Sequence, residues 1–153
     1  FFVGGGPELD VLKEKAKSLF FSSSICFAGY RERNTLSYFY HLADVFVFPS
    51  CTETQGLVTI EAMRTGLPVV AIGEMGTLDV MQGDNGGFMV KNNIDEFTAR
   101  VIDLLSDKNL HSQKSKEATE WSAKWSMEYL TPKLENAYKK AIKTQKTILK
   151  NKK

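Results

Sequence analysis

The chain has 153 residues, which is enough for one domain with a sizeable core. Hydrophobic residues make up 42% and charged residues 25%, as in ordinary soluble proteins, and a net charge of +2 predicts no general affinity for nucleic acid. No apolar run approaches the ~20 residues of a membrane span, and two cysteines without a secretory signal indicate a reducing compartment. Because the chain opens with Phe1 in an apolar run, we expect it to be a piece of a protein that continues upstream.

Short apolar runs alternate with helical segments along the chain. The runs are continuous, which predicts strands covered on both faces, and in chain order they are 1–3, 25–28, 44–48, 68–72 and 87–90. Helical segments lie between them, in chain order 8–20, 35–43, 57–65 and 77–82. Only helices follow the last run, over 94–106, 109–124 and 127–150, and Pro132 predicts a break in the last one. This alternation predicts parallel βαβ units, and therefore an α/β fold with a doubly wound parallel sheet.

The loops that follow the first four strands all contain glycine. They read GGGP (4–7), GYRERN (29–34), PSCTETQG (49–56) and GEMG (73–76). In a parallel sheet these loops share the edge at which ligands bind. Glycines ahead of helix N-termini let backbone amides approach a phosphate, so the four loops together favour a nucleotide site over a set of tight turns.

Two carboxylates, Glu53 and Glu61, stand on either side of one glycine with seven residues between them. We expect that glycine to open a helix and to leave unpaired donors for a diphosphate, the amides of Gly56, Leu57 and Val58. A diphosphate repels a carboxylate, so Glu53 should face hydroxyls, and a partly buried Glu61 suits the two hydroxyls of a ribose. By spacing alone, a structural alternative has at least equal weight: Glu53 caps the helix and Glu61 pairs with Arg64.

Four segments in order resemble a known family, GGGPELDVL, CFAGY, LADVFVFPSCTETQGLVTIEAMRTGLPVVA and NGGFMV. They are similar to the C-terminal, donor-binding half of retaining GT-B glycosyltransferases with a Glu-x7-Glu motif, of the group 1 or family 4 type. The resemblance implies a Rossmann-like domain for nucleotide sugar over 1–130, truncated at its N-terminus, and a C-terminal helix with a basic tail over 131–153. It implies transfer of a hexose from UDP-glucose or a related nucleotide sugar to a hydroxyl of a lipid or glycan.

The resemblance also assigns residues. Glu53 matches the first motif glutamate, near the donor sugar and phosphates, and is the candidate catalytic residue, while Glu61 matches the second, which holds the ribose. The other donor-binding candidates belong to the segment that meets the diphosphate and sugar, to the loop bordering the nucleobase, and to a glycine turn at the cleft. They are Thr54, Gln55, Gly56, Leu57 and Val58, then Tyr30 and Arg31, then Gly5 and Gly6. No metal ion or other cofactor is expected.

Two departures from the family pattern bear on function. Thr54 and Gln55 stand where many relatives have Gly-Phe, and the form TETQGL looks closest to enzymes that glucosylate diacylglycerol or other lipids. The phosphate-binding Arg and Lys of the family, with its acceptor-binding domain, would lie upstream of Phe1. We therefore expect this chain to bind donor weakly and to be inactive without that N-terminal domain.

The C-terminal segment is rich in lysine and has no acid after Glu135. The favoured interpretation is a solvated helix end, whose cations suit the helix dipole. The alternative is contact with anionic lipid headgroups. We expect a cytoplasmic protein, which under this alternative would be peripheral at the inner face of the membrane. The lysines are Lys139, Lys140, Lys143, Lys146, Lys150, Lys152 and Lys153.

Two other functions remain open on the sequence. One is a non-catalytic nucleotide-binding or interaction module of the same fold, and the other is a sugar-nucleotide epimerase. The presence of both Glu53 and Glu61 favours a transferase over the first, and the run ADVFVFPS before Glu53 favours it over the second.

Overall fold

The structure is a computed structural model that describes residues 1–150, with side chains as far as residue 147. The chain divides into two compact units, residues 1–43 and the residues from 44 onward. The boundary expected near residue 130 stays a prediction.

The first unit holds two helices and a parallel pair of short strands. In chain order its elements are β1 (Phe2–Val3), α1 (Leu9–Lys17), a 3₁₀ turn (Ser22–Ser24), β2 (Phe27–Gly29) and α2 (Arg33–Leu42). Phe2 pairs with Phe27 across the strands, and their rings stack with centroids 5.0 Å apart. The two strands therefore carry their successive loops to one edge.

The second unit is built on a three-stranded parallel sheet in the order β3-β4-β5. Its elements are β3 (Phe46–Phe48), α3 (Leu57–Arg64), β4 (Val69–Ile72), α4 (Gly76–Met81), β5 (Gly87–Val90), α5 (Ile94–Ser106), α6 (Lys108–Ser122), a 3₁₀ turn (Ala123–Trp125) and α7 (Met127–Lys150). One helix connects each strand to the next, as expected for βαβ units. The predicted α/β class with parallel strands is confirmed.

The central strand β4 forms the core of the second unit. All four of its residues are buried, and Val69, Val70 and Ala71 have no exposed surface. Burying each valine side chain stabilises the fold by roughly 1.5–3 kcal/mol relative to exposing it. Helix α3 adds the fully buried Ala62 and Met63 to this core. The continuous apolar run at 68–72 is thus explained by a strand that is buried on both faces.

The two helices after the last strand begin at side-chain caps. Asn93 accepts a hydrogen bond from the amide of Glu96 at 2.9 Å, at the start of α5. Asp107 accepts from the amides of Asn109 and Leu110 at the start of α6, at 2.8 and 3.0 Å. These caps satisfy amides that have no partner within the helix. The observed starts of α5 and α6 lie within one residue of the predicted starts.

Helix α7 differs from its prediction at Pro132, where the expected break does not occur. The helix runs without interruption from Met127 to Lys150. Pro132 lies in its second turn. Because proline has no amide proton, the carbonyl of Glu128 receives no hydrogen bond from position 132, and Glu128 is exposed to water. The side chain of Lys150, with Lys152 and Lys153, lies outside the described residues. In the part of the chain that the structure describes, no helix has the length and apolar character needed to cross a bilayer.

Candidate nucleotide-sugar site

Glu53 lies in the loop between β3 and α3, and its carboxylate binds the backbone of that loop. Oε1 accepts hydrogen bonds from the amides of Gln55 and Gly56, each 2.9 Å long. These two amides hold the pKa of the Glu53 carboxyl below its usual range, which keeps the group ionised at neutral pH. Residues 49–56, here called the Glu53 loop, are therefore shaped by their own glutamate.

Gly56 is the residue from which α3 starts, as predicted. Its φ of +67° lies in the left-handed region that favours glycine. A Cβ at this position would lie 2.6 Å from the carbonyl oxygen of Gly76, closer than side-chain atoms approach in real structures. Both the backbone conformation and the space available thus require glycine here.

The start of α3 presents fewer free amides than predicted. The amide of Gly56, expected to be unpaired, donates to Glu53 instead. The amide of Thr59 bonds to the Gly56 carbonyl at 3.1 Å, and within residues 1–150 the amides of Leu57 and Val58 meet no acceptor. The positive end of α3 therefore offers the two amides of Leu57 and Val58 to a ligand, rather than three.

Glu61 lies on the same helix, about one and a half turns after Gly56. It is half-buried, as predicted, between the buried Ile60 and Ala62. Because α3 is a regular helix that starts at the Glu53 loop, the position of Glu61 relative to that loop is defined by the helix. Its roles, whether with a ribose or with Arg64, stay predictions.

The loop between β4 and α4 is joined directly to the Glu53 loop. Residues 73–76 are here called the Met75 loop. The Gly76 amide donates to the carbonyl oxygen of Glu53 at 2.8 Å, and a Cβ at Gly76 would lie 2.5 Å from the backbone nitrogen of Gln55. The two backbones therefore touch, and only glycine fits at position 76.

A thiol and a carboxylate meet at the same junction. Burial, followed by the negative charge of Glu74, raises the pKa of the Cys51 thiol. The protonated thiol is favoured, so Cys51 is a poor nucleophile at neutral pH. Both cysteines of the chain are free.

Met75 and Thr77 are the residues at this edge that sequence reasoning missed. Met75 has φ +46° and ψ −128°, a conformation that costs a residue other than glycine ~1–3 kcal/mol, and its side chain is 53% exposed. The Thr77 hydroxyl is buried without a hydrogen-bond partner among the described residues. The one hint in the sequence was the segment GEMG, where a bulky methionine directly precedes a glycine. In the structure this glycine touches the Glu53 loop.

The other four candidates lie at one edge of the first unit. The Gly4 amide donates to the Gly29 carbonyl at 2.8 Å and joins the loop after β1 to the loop after β2. The first loop carries Gly5 and Gly6, which line a cavity of about 270 Å³. In the second loop Tyr30 is 87% exposed, and the Arg31 guanidinium lies 6.0 Å from the centre of the Phe39 ring.

The structure thus brings the candidates together as two groups, one within each unit. The first group is Gly5, Gly6, Tyr30 and Arg31, and the second is Glu53, Thr54, Gln55, Gly56, Leu57, Val58 and Glu61. No cluster of three or more His, Cys, Asp or Glu side chains in the described residues could hold a metal ion.

A family model, glycosyl transferases group 1, matches residues 1–121 of this chain. The chain belongs to this family. The resemblance to the C-terminal domain of group 1 glycosyltransferases is thereby confirmed.

Three relatives of this group 1 chain transfer sugars according to their names. The sulfoquinovosyl transferase SQD2 of Arabidopsis thaliana is 34% identical over 139 residues, 88% of this chain and 26% of that protein. Alpha-monoglucosyldiacylglycerol synthase of Streptococcus pneumoniae is 40% identical over 70 residues, 46% of this chain and 16% of that protein. GDP-mannose-dependent alpha-(1-6)-phosphatidylinositol monomannoside mannosyltransferase of Mycobacterium tuberculosis is 30% identical, over 86% of this chain and 37% of that protein. This chain therefore spans well under half the length of each.

Two solved structures share the fold of this group 1 chain. S. aureus TarM, solved with UDP, fondaparinux and alpha-GlcNAc-glycerol, has a TM-score of 0.73 at 24% identity and covers 88% of this chain and 27% of its own. Anabaena HepE, solved with UDP-glucose, has a TM-score of 0.70 at 22% identity and covers 80% of this chain and 35% of its own.

Proposed function

We propose that this chain is the donor-binding domain of a retaining glycosyltransferase that moves a hexose from a UDP-sugar to a hydroxyl acceptor. The observation that carries the proposal is the Glu53 loop. Its glutamate is tied to the amides of Gln55 and Gly56, and the next two amides, of Leu57 and Val58, remain open at the positive end of α3.

This arrangement separates negative charge from the place where a diphosphate would bind. Because two amides engage Oε1 of Glu53, its charge is partly neutralised within the loop. The amides of Leu57 and Val58 can then donate hydrogen bonds to a phosphate oxygen, and the dipole of α3 favours the negative charge of the phosphate. Glu61, further along the same helix, is the group proposed to receive the hydroxyls of the ribose.

The proposed reaction is a transfer in which the bond between the anomeric carbon and the diphosphate breaks and the acceptor oxygen bonds to that carbon with retention. The proton of the acceptor hydroxyl leaves with the nucleoside diphosphate. Negative charge develops on the leaving diphosphate, and donors aimed at it lower the barrier. The amides of Leu57 and Val58 are placed for that task, and the proposed reaction needs no metal ion. Glu53 is proposed to hold the loop and orient the sugar, which contributes through positioning.

The proposal of a UDP-sugar rests on comparison rather than on a contact. TarM and HepE, which share this fold, bind UDP and UDP-glucose. The relative from M. tuberculosis is named for GDP-mannose, so the base is to be tested directly. A lipid acceptor is supported by the names of that enzyme and of monoglucosyldiacylglycerol synthase.

The deciding experiment is a calorimetric titration of the complete protein with UDP, UDP-glucose, GDP-mannose and NAD. Replacing Glu61 by Gln should weaken UDP binding by ~1–3 kcal/mol, because a charged acceptor for the ribose hydroxyls is lost. Glu135→Gln on the exposed surface of α7 is the matched control and should leave binding unchanged. GDP-mannose binding alone would keep the family and change the donor, whereas binding of NAD alone would overturn the transferase proposal.

We further propose that α7 lies against an anionic membrane when the acceptor is a lipid. Lysines Lys139, Lys140, Lys143 and Lys146 are all exposed, together with apolar side chains on the same helix. Each basic residue near an anionic surface contributes roughly 1 kcal/mol of binding.

Co-sedimentation with phosphatidylglycerol vesicles tests this contact. Replacing Lys140, Lys143 and Lys146 by Gln should release most of the protein into the supernatant. The same change at Lys13, Lys15 and Lys17 of α1 is the control and should not. Equal recovery of both variants with the vesicles would refute the membrane proposal.

A further inference from the structure

We propose that Met75 is a specificity-determining residue of the donor site, and that its thioether side chain packs against the sugar to be transferred. This inference rests on the proposed function, because it assumes that a nucleotide sugar binds at the Glu53 loop. It adds a residue that the family motifs in the sequence do not include.

The position of Met75 is fixed by its neighbour. The Gly76 amide is bonded to the Glu53 carbonyl at 2.8 Å, so Met75 is one residue from direct contact with the Glu53 loop. Both loops follow parallel strands at their carboxyl ends, the edge at which ligands bind in α/β sheets. A side chain that leaves the Met75 loop toward solvent therefore borders the proposed site.

The strained backbone of Met75 is not compensated by burial of its side chain. A residue with φ +46° and ψ −128° is strained unless it is glycine, and strained residues cluster where ligands are held. Its side chain is 53% exposed, while the next two residues, Gly76 and Thr77, are buried. The core therefore does not account for a large side chain at this position.

The chemistry of the side chain points to the sugar rather than to the diphosphate. A thioether is apolar and polarisable and adapts to irregular surfaces, which suits the C–H face of a hexose. It offers no donor to a phosphate. Glu53, for which we propose a place near the sugar, belongs to the loop that Gly76 contacts.

Gln82 provides a matched control within the same helix. It is also a non-glycine residue in the left-handed region, with φ +48° and ψ +51°, but it lies at the other end of α4. Its side-chain amide donates to the Asp79 carbonyl at 3.1 Å, so Gln82 ends the helix and is accounted for structurally.

The test compares Met75→Gly, Met75→Leu and Gln82→Gly in the complete protein, with UDP and UDP-glucose as separate probes. Met75→Gly removes strain and should raise the melting temperature by about 2–4 °C, which also shows that it folds. Gln82→Gly also loses the side-chain hydrogen bond to the Asp79 carbonyl, so it should melt close to the wild type. Met75→Gly should weaken UDP-glucose binding by about 5- to 20-fold and leave UDP binding within about twofold. Met75→Leu should retain most of the UDP-glucose affinity, and Gln82→Gly should retain all of it.

Three results would overturn the inference. Unchanged UDP-glucose binding in Met75→Gly would show that the side chain does not contact the ligand. Equal weakening of UDP and UDP-glucose would place its effect on the nucleotide instead of the sugar. Failure of the wild-type protein to bind either probe would remove the proposed function itself, and this outcome is distinguishable because no variant is involved.

Discussion

Replacing Gly56 by Ala tests whether the contact between the Glu53 loop and the Met75 loop holds the site together. The new Cβ would lie 2.6 Å from the Gly76 carbonyl oxygen and 2.8 Å from Cγ2 of Val80. Two costs add: a φ of +67° costs alanine ~1–2 kcal/mol, and forcing a methyl into a packed contact costs ~1–3 kcal/mol. We therefore expect a loss of ~2–5 kcal/mol in the free energy of unfolding.

Gly83→Ala separates the two costs. Gly83 also has a positive φ, +97°, but nothing lies within 4 Å of the Cβ that alanine would add. This variant should lose only the conformational part, ~1–2 kcal/mol. The difference between the two variants measures the close approach of the two loops.

Urea unfolding followed by circular dichroism gives both free energies, with thermal melts as a second measure. At about 2–4 °C per kcal/mol for a chain of this size, Gly56→Ala should melt roughly 4–20 °C below the wild type. If Gly56→Ala cost no more than Gly83→Ala, the backbone contact between the two loops would not exist in solution. The description of the site as one joined structure would then be wrong.

Three further predictions concern charge, capping and the thiol. The folded pKa of Glu53 lies below its unfolded value, so its ionised carboxylate stabilises the fold above the unfolded pKa, and this stabilisation is lost as pH falls through the folded pKa. The melting temperature of Glu53→Gln should therefore fall less steeply with acidification than that of the wild type. Asn93→Ala should destabilise the fold by ~1 kcal/mol in urea unfolding, whereas Asn93→Asp should not, because Asp still caps α5. Alkylation of Cys51 at neutral pH, followed by mass spectrometry, should speed up in Glu74→Gln because one cause of the raised thiol pKa is removed; an unchanged rate would leave burial as the sole cause.

The parts of the fold that could be predicted from sequence are those governed by local pattern. The run at 68–72 is continuously apolar because both faces of β4 are buried, and this can be predicted without knowing which segments cover them. The start of α3 could also be predicted, since a glycine before an apolar helical segment signals a boundary. The parallel pairing then follows from the alternation of strands and helices.

The details of the site depend on contacts between segments, which a local pattern does not contain. The expectation of a free Gly56 amide was wrong because Glu53 folds back onto it, and two glutamates at this spacing are equally compatible with a carboxylate that points outward. The role of Gly76 depends on its touching Gln55, a contact between loops separated by a helix and a strand. The strain at Met75 was equally invisible, because methionine carries no sequence signal for a positive φ.

The absence of space between Gly56 and Gly76 has a consequence for how this site can change over generations. A side chain introduced at either glycine collides with the backbone of the opposite loop, so neither position can drift alone. A viable replacement needs a compensating shift in the other loop, which makes the two positions interdependent in any mutational scan. New donor preferences are therefore most accessible through exposed neighbours such as Met75, which can be exchanged while the joined backbones stay as they are.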